Sequence, residues 1–195
     1  MDFICYFVRH GQTDWNAEYR LQGQADTDIN AVGRAQADGN GRRLAGLIGT
    51  PENFRFVASP LRRTRETMER IRGAMGLPPE GYETDDRLIE VHFGDWQGHT
   101  FDELELVDPG CTARRDADKW HFLPPGEHAE SYEMLAARVR SFVEEIAGPT
   151  VCVTHGGVIR SIFRLTGSLG PEECSALTIP QDRILRMSDG RLEWI

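Results

Sequence analysis

The chain is poor in the features that send a protein to a membrane or out of a cell. Its first apolar run, Phe3–Val8, stops after six residues at Arg9 and has no basic segment before it. That is too short for a membrane span or a signal peptide core, so a soluble cytoplasmic protein with no membrane partner is expected. Cysteine is scarce: Cys5, Cys111, Cys152 and Cys174 are the four, and none forms a CxxC pair. Two of them sit in apolar runs that read as buried strands, which favours reduced thiols over a disulfide framework. Positive charge is in deficit, 22 Lys and Arg against 31 Asp and Glu, for a net charge of −9. An acidic surface repels phosphate backbones and argues against nucleic acid as a partner. There is no internal repeat, no low-complexity tract and no linker. No GxGxxG follows a strand, which removes the dinucleotide-binding reading, and no HxH or HxxxH spacing points to a metal site.

What remains is ordinary globular composition, 39% hydrophobic and 27% charged over 195 residues, enough for one sizeable core. Apolar runs at Phe3–Val8, Phe54–Ala58 and Thr150–Thr154 read as buried strands. Helical spacing marks Ala31–Ile48, with Gly39 and Gly41 as internal weak points, and Ser131–Ile146 ending at Gly148-Pro149. Ser59-Pro60 is a helix-start signal, Ser at N-cap and Pro at N1, for a helix over Leu61–Met75. Phe101–Val107 is a candidate helix, and Gly157–Leu165 a helix directly after its strand. Arg183–Met187 and Arg191–Ile195 flank Ser-Asp-Gly as a strand pair. Strands alternating with helices predict an α/β fold with a mostly parallel central sheet and helices on both faces. The whole of 1–195 is expected to be one domain, with 88–135 an insertion capping one end of the sheet.

Two of the predicted strands run straight into a histidine-glycine pair, Val8-Arg9-His10-Gly11 and Thr154-His155-Gly156. In open α/β sheets ligands bind beyond the carboxyl ends of the strands, so parallel neighbours would bring both histidines to one edge. Arg62, in the first turn of the helix after Ser59-Pro60, would join them beside unpaired helix N–H groups. Such a cluster suits a compact dianion. Arg63 and Arg65 read as solvated helix charges.

Four ordered blocks then carry a resemblance: RHGQTDWN at Arg9–Asn16, SPLRRTRETM at Ser59–Met68, LIEVHFGDWQG at Leu88–Gly98 and VTHGGVIR at Val153–Arg160. Together they resemble the histidine phosphatase, or phosphoglycerate mutase-like, superfamily, and they span nearly the whole chain. The resemblance implies a three-layer α/β/α sandwich and a phosphoric monoester hydrolase of the histidine acid phosphatase type. It implies that His10 is phosphorylated, that Arg9, Arg62 and His155 hold the phosphoryl oxygens, and that Glu90 is the proton donor. Gln12, Thr13, Asn16, Gln22, Gly23 and Gly156 are expected near the substrate. No metal and no cofactor are implied.

The chemistry is consistent with those roles. A phosphomonoester repels nucleophiles with its own charge, and fixed guanidinium groups compensate that charge as bonds lengthen. Neutral imidazole is a competent nucleophile near pH 7. The nitrogen that attacks depends on what the other one binds, and a main-chain carbonyl near Gly11 is the expected partner. Glu90 would protonate the leaving alkoxide and later deprotonate the water that cleaves phosphohistidine.

Two segments depart from the family pattern: Asp26-Thr27-Asp28-Ile29-Asn30 lacks the usual proline, and Pro125–Ser131 interrupts the usual Gly-Glu-Ser. Both fall where the family shapes its substrate pocket. The expected partner is a small phosphorylated metabolite, and dimers are common for such folds, which leaves a homodimer open. The competing readings are a cofactor-dependent phosphoglycerate mutase and a non-catalytic phosphate-binding module. FGDWQG without a long insertion after it favours the phosphatase branch, and the presence of His10, Arg9, Arg62 and His155 together argues against a degenerate module.

Overall fold

A computed structural model of the chain describes residues 3–195. Its elements run β1 (Cys5–Arg9), α1 (Asp14–Ala17), α2 (Ala31–Leu47), β2 (Arg55–Ala58), α3 (Arg62–Ala74), β3 (Glu83–Thr84), α4 (Phe101–Val107), α5 (Cys111–Ala117), α6 (Tyr132–Glu144), β4 (Thr150–Thr154), α7 (Gly156–Leu165), α8 (Pro171–Ala176), β5 (Ile184–Ser188) and β6 (Arg191–Trp194). The six strands form one sheet in the order β3-β2-β4-β1-β5-β6. The pairs β3–β2, β2–β4 and β4–β1 are parallel, while β1–β5 and β5–β6 are antiparallel. This is an α/β fold with a six-stranded, mostly parallel sheet.

Alternation along the strands explains the layers. Cys5, Phe7, Val57, Cys152 and Leu185 face one side and pack with Leu135, Val139 and Phe142 of α6 and Val158, Ile159 and Ile162 of α7. Tyr6, Val8, Phe56, Ala58, Val151 and Val153 face the other and pack with Leu44 of α2 and with Met68 and Ile71 of α3. The central strands bury both faces, which is why they read as unbroken apolar runs rather than alternating ones. A third, smaller cluster of Trp96, Leu104 and Cys111, with Phe93, Phe101 and Phe122 against it, sits within the 88–135 segment.

The glycines inside α2 do not break it. Gly41 is buried where α2 crosses α3, and a Cβ there would overlap Ala74 Cβ and the Ile71 carbonyl. The helix gives up propensity at this position, roughly 1 kcal/mol relative to alanine, for a close helix–helix contact.

The start of α3 differs from the sequence expectation. Ser59 still extends the sheet, donating its N–H to Val153 O at 3.0 Å. The helix begins at Arg62 with Leu61 as N-cap, and no side chain of its own caps it. The capping acceptor comes from outside: Asp26 Oδ1 accepts the Arg62 N–H at 2.7 Å. Ser59, the predicted cap, is bonded elsewhere.

Candidate active site

The register Arg9↔Thr154 between parallel β1 and β4 brings the residues that follow them, His10 and His155, out at the same sheet edge. Their rings meet edge to face with centroids 5.2 Å apart. Both are buried, at 3% and 0% exposure. The Nδ1 of His10 lies 2.8 Å from Gly11 O. A carbonyl only accepts, so Nδ1 carries the proton and the Nε2 lone pair is left for chemistry. Burial first, and then the neighbouring Arg63 and Arg9 charges, push the His10 imidazole well below its ordinary value, and the Gly11 carbonyl only partly opposes them. His155 is pushed the same way by burial, Arg63, His10 and Arg9.

Two neutral buried histidines make stability depend on pH. In the unfolded chain each binds a proton below about pH 6.5, whereas in the folded protein neither does until much lower pH. The unfolded state then holds up to two extra protons. Stability is therefore full above about 6.5 and falls below it, by about 1.4 kcal/mol per pH unit for each histidine. Denaturant melts at pH 7.0 and 5.5 should show a wild-type loss of about 2–3 kcal/mol over that interval, and the double variant His10→Gln, His155→Gln should lose most of that dependence. Parallel pH slopes in the two proteins would refute the assignment.

His10 lines a cavity of about 200 Å³ together with Arg9, Arg63, Glu90, Asn16, Gln22, Gly23 and Gly156, with Arg20, Arg115, Lys119, Tyr132 and Arg160 also contributing. His155 is packed against the His10 ring and is not itself part of the lining. Five arginines and a lysine thus share one small space with a single carboxylate. Arg63 is fully buried and donates to Gly23 O and Ala25 O, both at 2.7 Å. Arg9 donates to Ile179 O at 2.8 Å. Among the described residues neither guanidinium is in ion-pair contact with a carboxylate, and burial lowers both to about 10. The Nε atoms of Arg9 and Arg63 and the Nδ1 of His155 are buried with no partner at all. Buried cations and donors without acceptors are costly unless something supplies the missing charge, so this cluster is built for an anion.

Glu90 closes the site from the side of α7. Its carboxylate accepts the Gly157 N–H at 3.0 and 3.1 Å and the Val91 N–H at 3.0 Å. A Cβ on Gly157 would collide with Glu90 Oε1, so the second glycine of His155-Gly156-Gly157 is there to admit this side chain. Gln181 ties the floor together, donating to His10 O at 3.1 Å and to Asn16 Oδ1 at 3.0 Å.

The structure corrects one predicted residue. Arg62 does not enter the cavity: its side chain is 61% exposed and pairs with Asp28 at 2.8 Å. Arg63, read from the sequence as a solvated helix charge, takes the inward position. With α3 starting at Arg62, its buried stripe is Arg63, Thr64, Thr67, Met68 and Ile71. Counting back by four from Ile71 gives Thr67 and then Arg63, and each residue turns the helix by 100°, so Arg62 falls outside the stripe. That periodicity was the available signal. Asp26 and Asp28, in the segment that departs from the family pattern, hold the Arg62 main chain and side chain respectively.

Two further predicted neighbours lie off the cavity. Thr13 is buried as the cap of α1, and Gln12 bonds Gln36 and Asn30. Asn16, Gln22, Gly23 and Gly156 do line it. The sequence reading missed Arg20, Arg115, Lys119, Tyr132 and Arg160. Arg160 follows Gly156 by one turn on α7, a spacing that keeps it at the same edge. Lys119 lies beyond the end of α5, so no helical spacing ties it to Arg115.

The family model of the histidine phosphatase superfamily (branch 1) matches residues 5–190. The chain belongs to the histidine phosphatase superfamily. It is 36% identical over 169 residues to a glucosyl-3-phosphoglycerate phosphatase of Mycobacterium tuberculosis, covering 80% of this chain and 71% of that one. A metal-independent phosphoserine phosphatase of Arabidopsis thaliana is 35% identical over 162 residues, covering 80% of this chain and 65% of the relative. A solved mycobacterial glucosyl-3-phosphoglycerate phosphatase in complex with VO3 superposes with a TM-score of 0.80 at 30% identity, covering 99% of this chain and 96% of that one. With these relatives the chain is a phosphomonoester hydrolase of the histidine phosphatase type, and its fold is the phosphoglycerate mutase-like one. Among the described residues no helix is long and apolar enough to cross a membrane.

Proposed function

We propose that this histidine phosphatase hydrolyses a small phosphomonoester in two steps through phosphohistidine at His10, and that the ester's leaving group carries a carboxylate. The observation that carries the reading is the set of unpaired buried donors and cations around an uncharged imidazole whose Nε2 lone pair is free. The phosphoryl group lies against Arg9, Arg63 and His155, whose charges and N–H groups meet its oxygens. His10 Nε2 attacks phosphorus, the ester P–O bond breaks, and Glu90, entering the step as the protonated acid, gives its proton to the departing alkoxide and becomes a carboxylate. Glu90 then takes a proton from water as that water attacks phosphohistidine, releasing phosphate and restoring His10. The guanidinium groups compensate the phosphoryl charge throughout.

The second anion follows from the cations left over. Arg20 is already engaged, bonded to Glu103 at 2.6 Å and to Glu18 at 2.8 Å. Arg115 and Lys119 are the cations of the 88–135 segment that line the cavity. Arg115 is paired with Asp116 at 2.6 Å, whereas Lys119 has no carboxylate partner among the described residues and is pulled down to about 8 by burial and by the positive charges of Arg115 and Arg160. An anion beside them would relieve that repulsion. Relatives named for phosphoserine and for glucosyl-3-phosphoglycerate support a carboxylate-bearing ester. The four free, buried cysteines support a cytoplasmic setting. We read the chain as one domain, with 88–135 the cap that brings Arg115 and Lys119 over the phosphate site.

The test compares 3-phosphoglycerate and phosphoserine with a neutral aryl phosphate, in excess EDTA, for wild type and Lys119→Met. Phosphate release should survive chelation, and the variant should raise KM about tenfold for the carboxylated esters, a loss of about 1.4 kcal/mol, while leaving the aryl phosphate within about twofold. Equal changes for all three substrates would remove the carboxylate from the reading. Conversion of 3-phosphoglycerate to its 2-isomer without phosphate release would replace hydrolysis by mutase chemistry. A phosphoglycerate mutase of Beijerinckia indica, 29% identical over 191 residues, belongs to the same set of relatives.

A further inference from the structure

The hydroxyl of Ser59 has one hydrogen-bond partner, the Nε2 of His155, at 2.8 Å. Both residues are fully buried. Ser59 does not cap α3, as its place in the sequence suggests; its main chain is spent on the sheet and on Thr64, and its side chain points to the histidine. That single contact has a direction. A serine hydroxyl carries one proton and needs an acceptor for it when buried. If His155 Nε2 bore a hydrogen, it would donate to Ser59 Oγ and the serine proton would have nowhere to go. If Nε2 is the bare nitrogen, the serine proton is satisfied and the ring hydrogen sits on Nδ1. Nδ1 is the buried atom of His155 that has no protein partner, so it is left available as a donor.

We propose that Ser59 is a positioning residue that holds neutral His155 as its Nδ1–H tautomer, so that a bound phosphoryl oxygen meets an N–H there and not a lone pair. The inference rests on His155 facing the phosphoryl group, as in the proposed function. Without the serine proton the ring is free to place its hydrogen on Nε2, and the nitrogen lone pair at Nδ1 then repels the anion. His10 and His155 thus take the same tautomer through different devices. The Gly11 carbonyl draws the His10 proton to Nδ1, which frees Nε2 to attack; Ser59 drives the His155 proton to Nδ1, which makes that nitrogen a donor.

The experiment is long-range 1H–15N correlation on protein labelled in its histidine rings, on the full chain without ligand and with inorganic vanadate. Wild type should show protonated Nδ1 and bare Nε2 at His155, assigned by loss of the signal in His155→Gln. Ser59→Ala should give a mixed or inverted tautomer pattern, vanadate affinity lower by about tenfold, and kcat lower by one to two orders of magnitude with KM little changed. Ser59→Thr, which keeps the hydroxyl, should restore the wild-type pattern. An Nε2–H tautomer in wild type overturns the proposal without any variant having to fold. A Ser59→Ala protein with the wild-type spectrum and unchanged vanadate affinity overturns it as well. Inactivity of wild type on every phosphomonoester tried, with the Nδ1–H tautomer present, would instead count against the proposed function.

Discussion

Replacement of His10 by alanine is expected to lower kcat for an aryl phosphate by about 10⁴- to 10⁶-fold, the range seen when the nucleophile of a covalent mechanism is removed. The size follows from the substrate. Phosphomonoester hydrolysis is among the slowest uncatalysed reactions known, so the arginines alone, which bind the dianion without attacking it, leave most of the barrier in place. Phosphate and vanadate should still bind the variant within about tenfold of wild type, because Arg9, Arg63 and His155 keep their places. The variant should also fail to trap acid-labile, alkali-stable phosphate on the protein when quenched during turnover of a labelled ester, whereas wild type should trap it. Folding should not suffer below pH 6.5, since a buried imidazole that resists protonation has been removed. Phosphate release at the wild-type rate from His10→Ala would sink the nucleophile assignment, whatever the other residues do.

The parts of the fold that were legible are those whose signal is local. Phe3–Val8 and Thr150–Thr154 are buried on both faces, so their composition alone marks them, and the His-Gly pairs that end them locate the ligand edge. β3 was not legible because Glu83 and Thr84 are both exposed and nothing in them is apolar. α5 was not legible because only Cys111 of its seven residues is buried, which leaves no amphipathic stripe to read. Arg115 and Lys119 were missed for a related reason: they line the cavity only through the tertiary fold, and no amphipathic stripe marks either of them. Ser59-Pro60 misled for a different reason. Serine before proline is a sound helix-start signal, but His155, 96 residues away, competes for the hydroxyl, and Asp26 supplies the cap instead. Arg62 and Arg63 are adjacent and 100° apart on the helix, so a helix expected over Leu61–Met75 does not by itself say which of them faces inward. That is why the right motif yielded the wrong arginine.

The two arginines give the sharpest test of the site. Arg63→Met should lower kcat/KM for an aryl phosphate by about 10³-fold, as expected for a guanidinium that meets phosphoryl charge as it develops. Arg62→Met should change it less than about threefold, because its guanidinium is exposed and paired with Asp28 at the surface, where such pairs contribute about 0–1 kcal/mol. Stabilisation by phosphate, and not stability itself, should separate the variants in a way that folding defects would not imitate. Removing Arg63 takes away a buried charge that no carboxylate contacts, which favours the folded state, and leaves the Gly23 and Ala25 carbonyls without their donor, which disfavours it. These oppose one another, so the melting temperature of Arg63→Met should stay close to wild type while its activity collapses. Saturating phosphate should raise the melting temperature of wild type and of Arg62→Met, because a ligand that binds only the folded state stabilises it. In Arg63→Met that rise should shrink. Loss of activity in Arg62→Met, with Arg63→Met active, would return the phosphoryl contact to Arg62 and require α3 to be rotated by about 100°, one residue, about its axis.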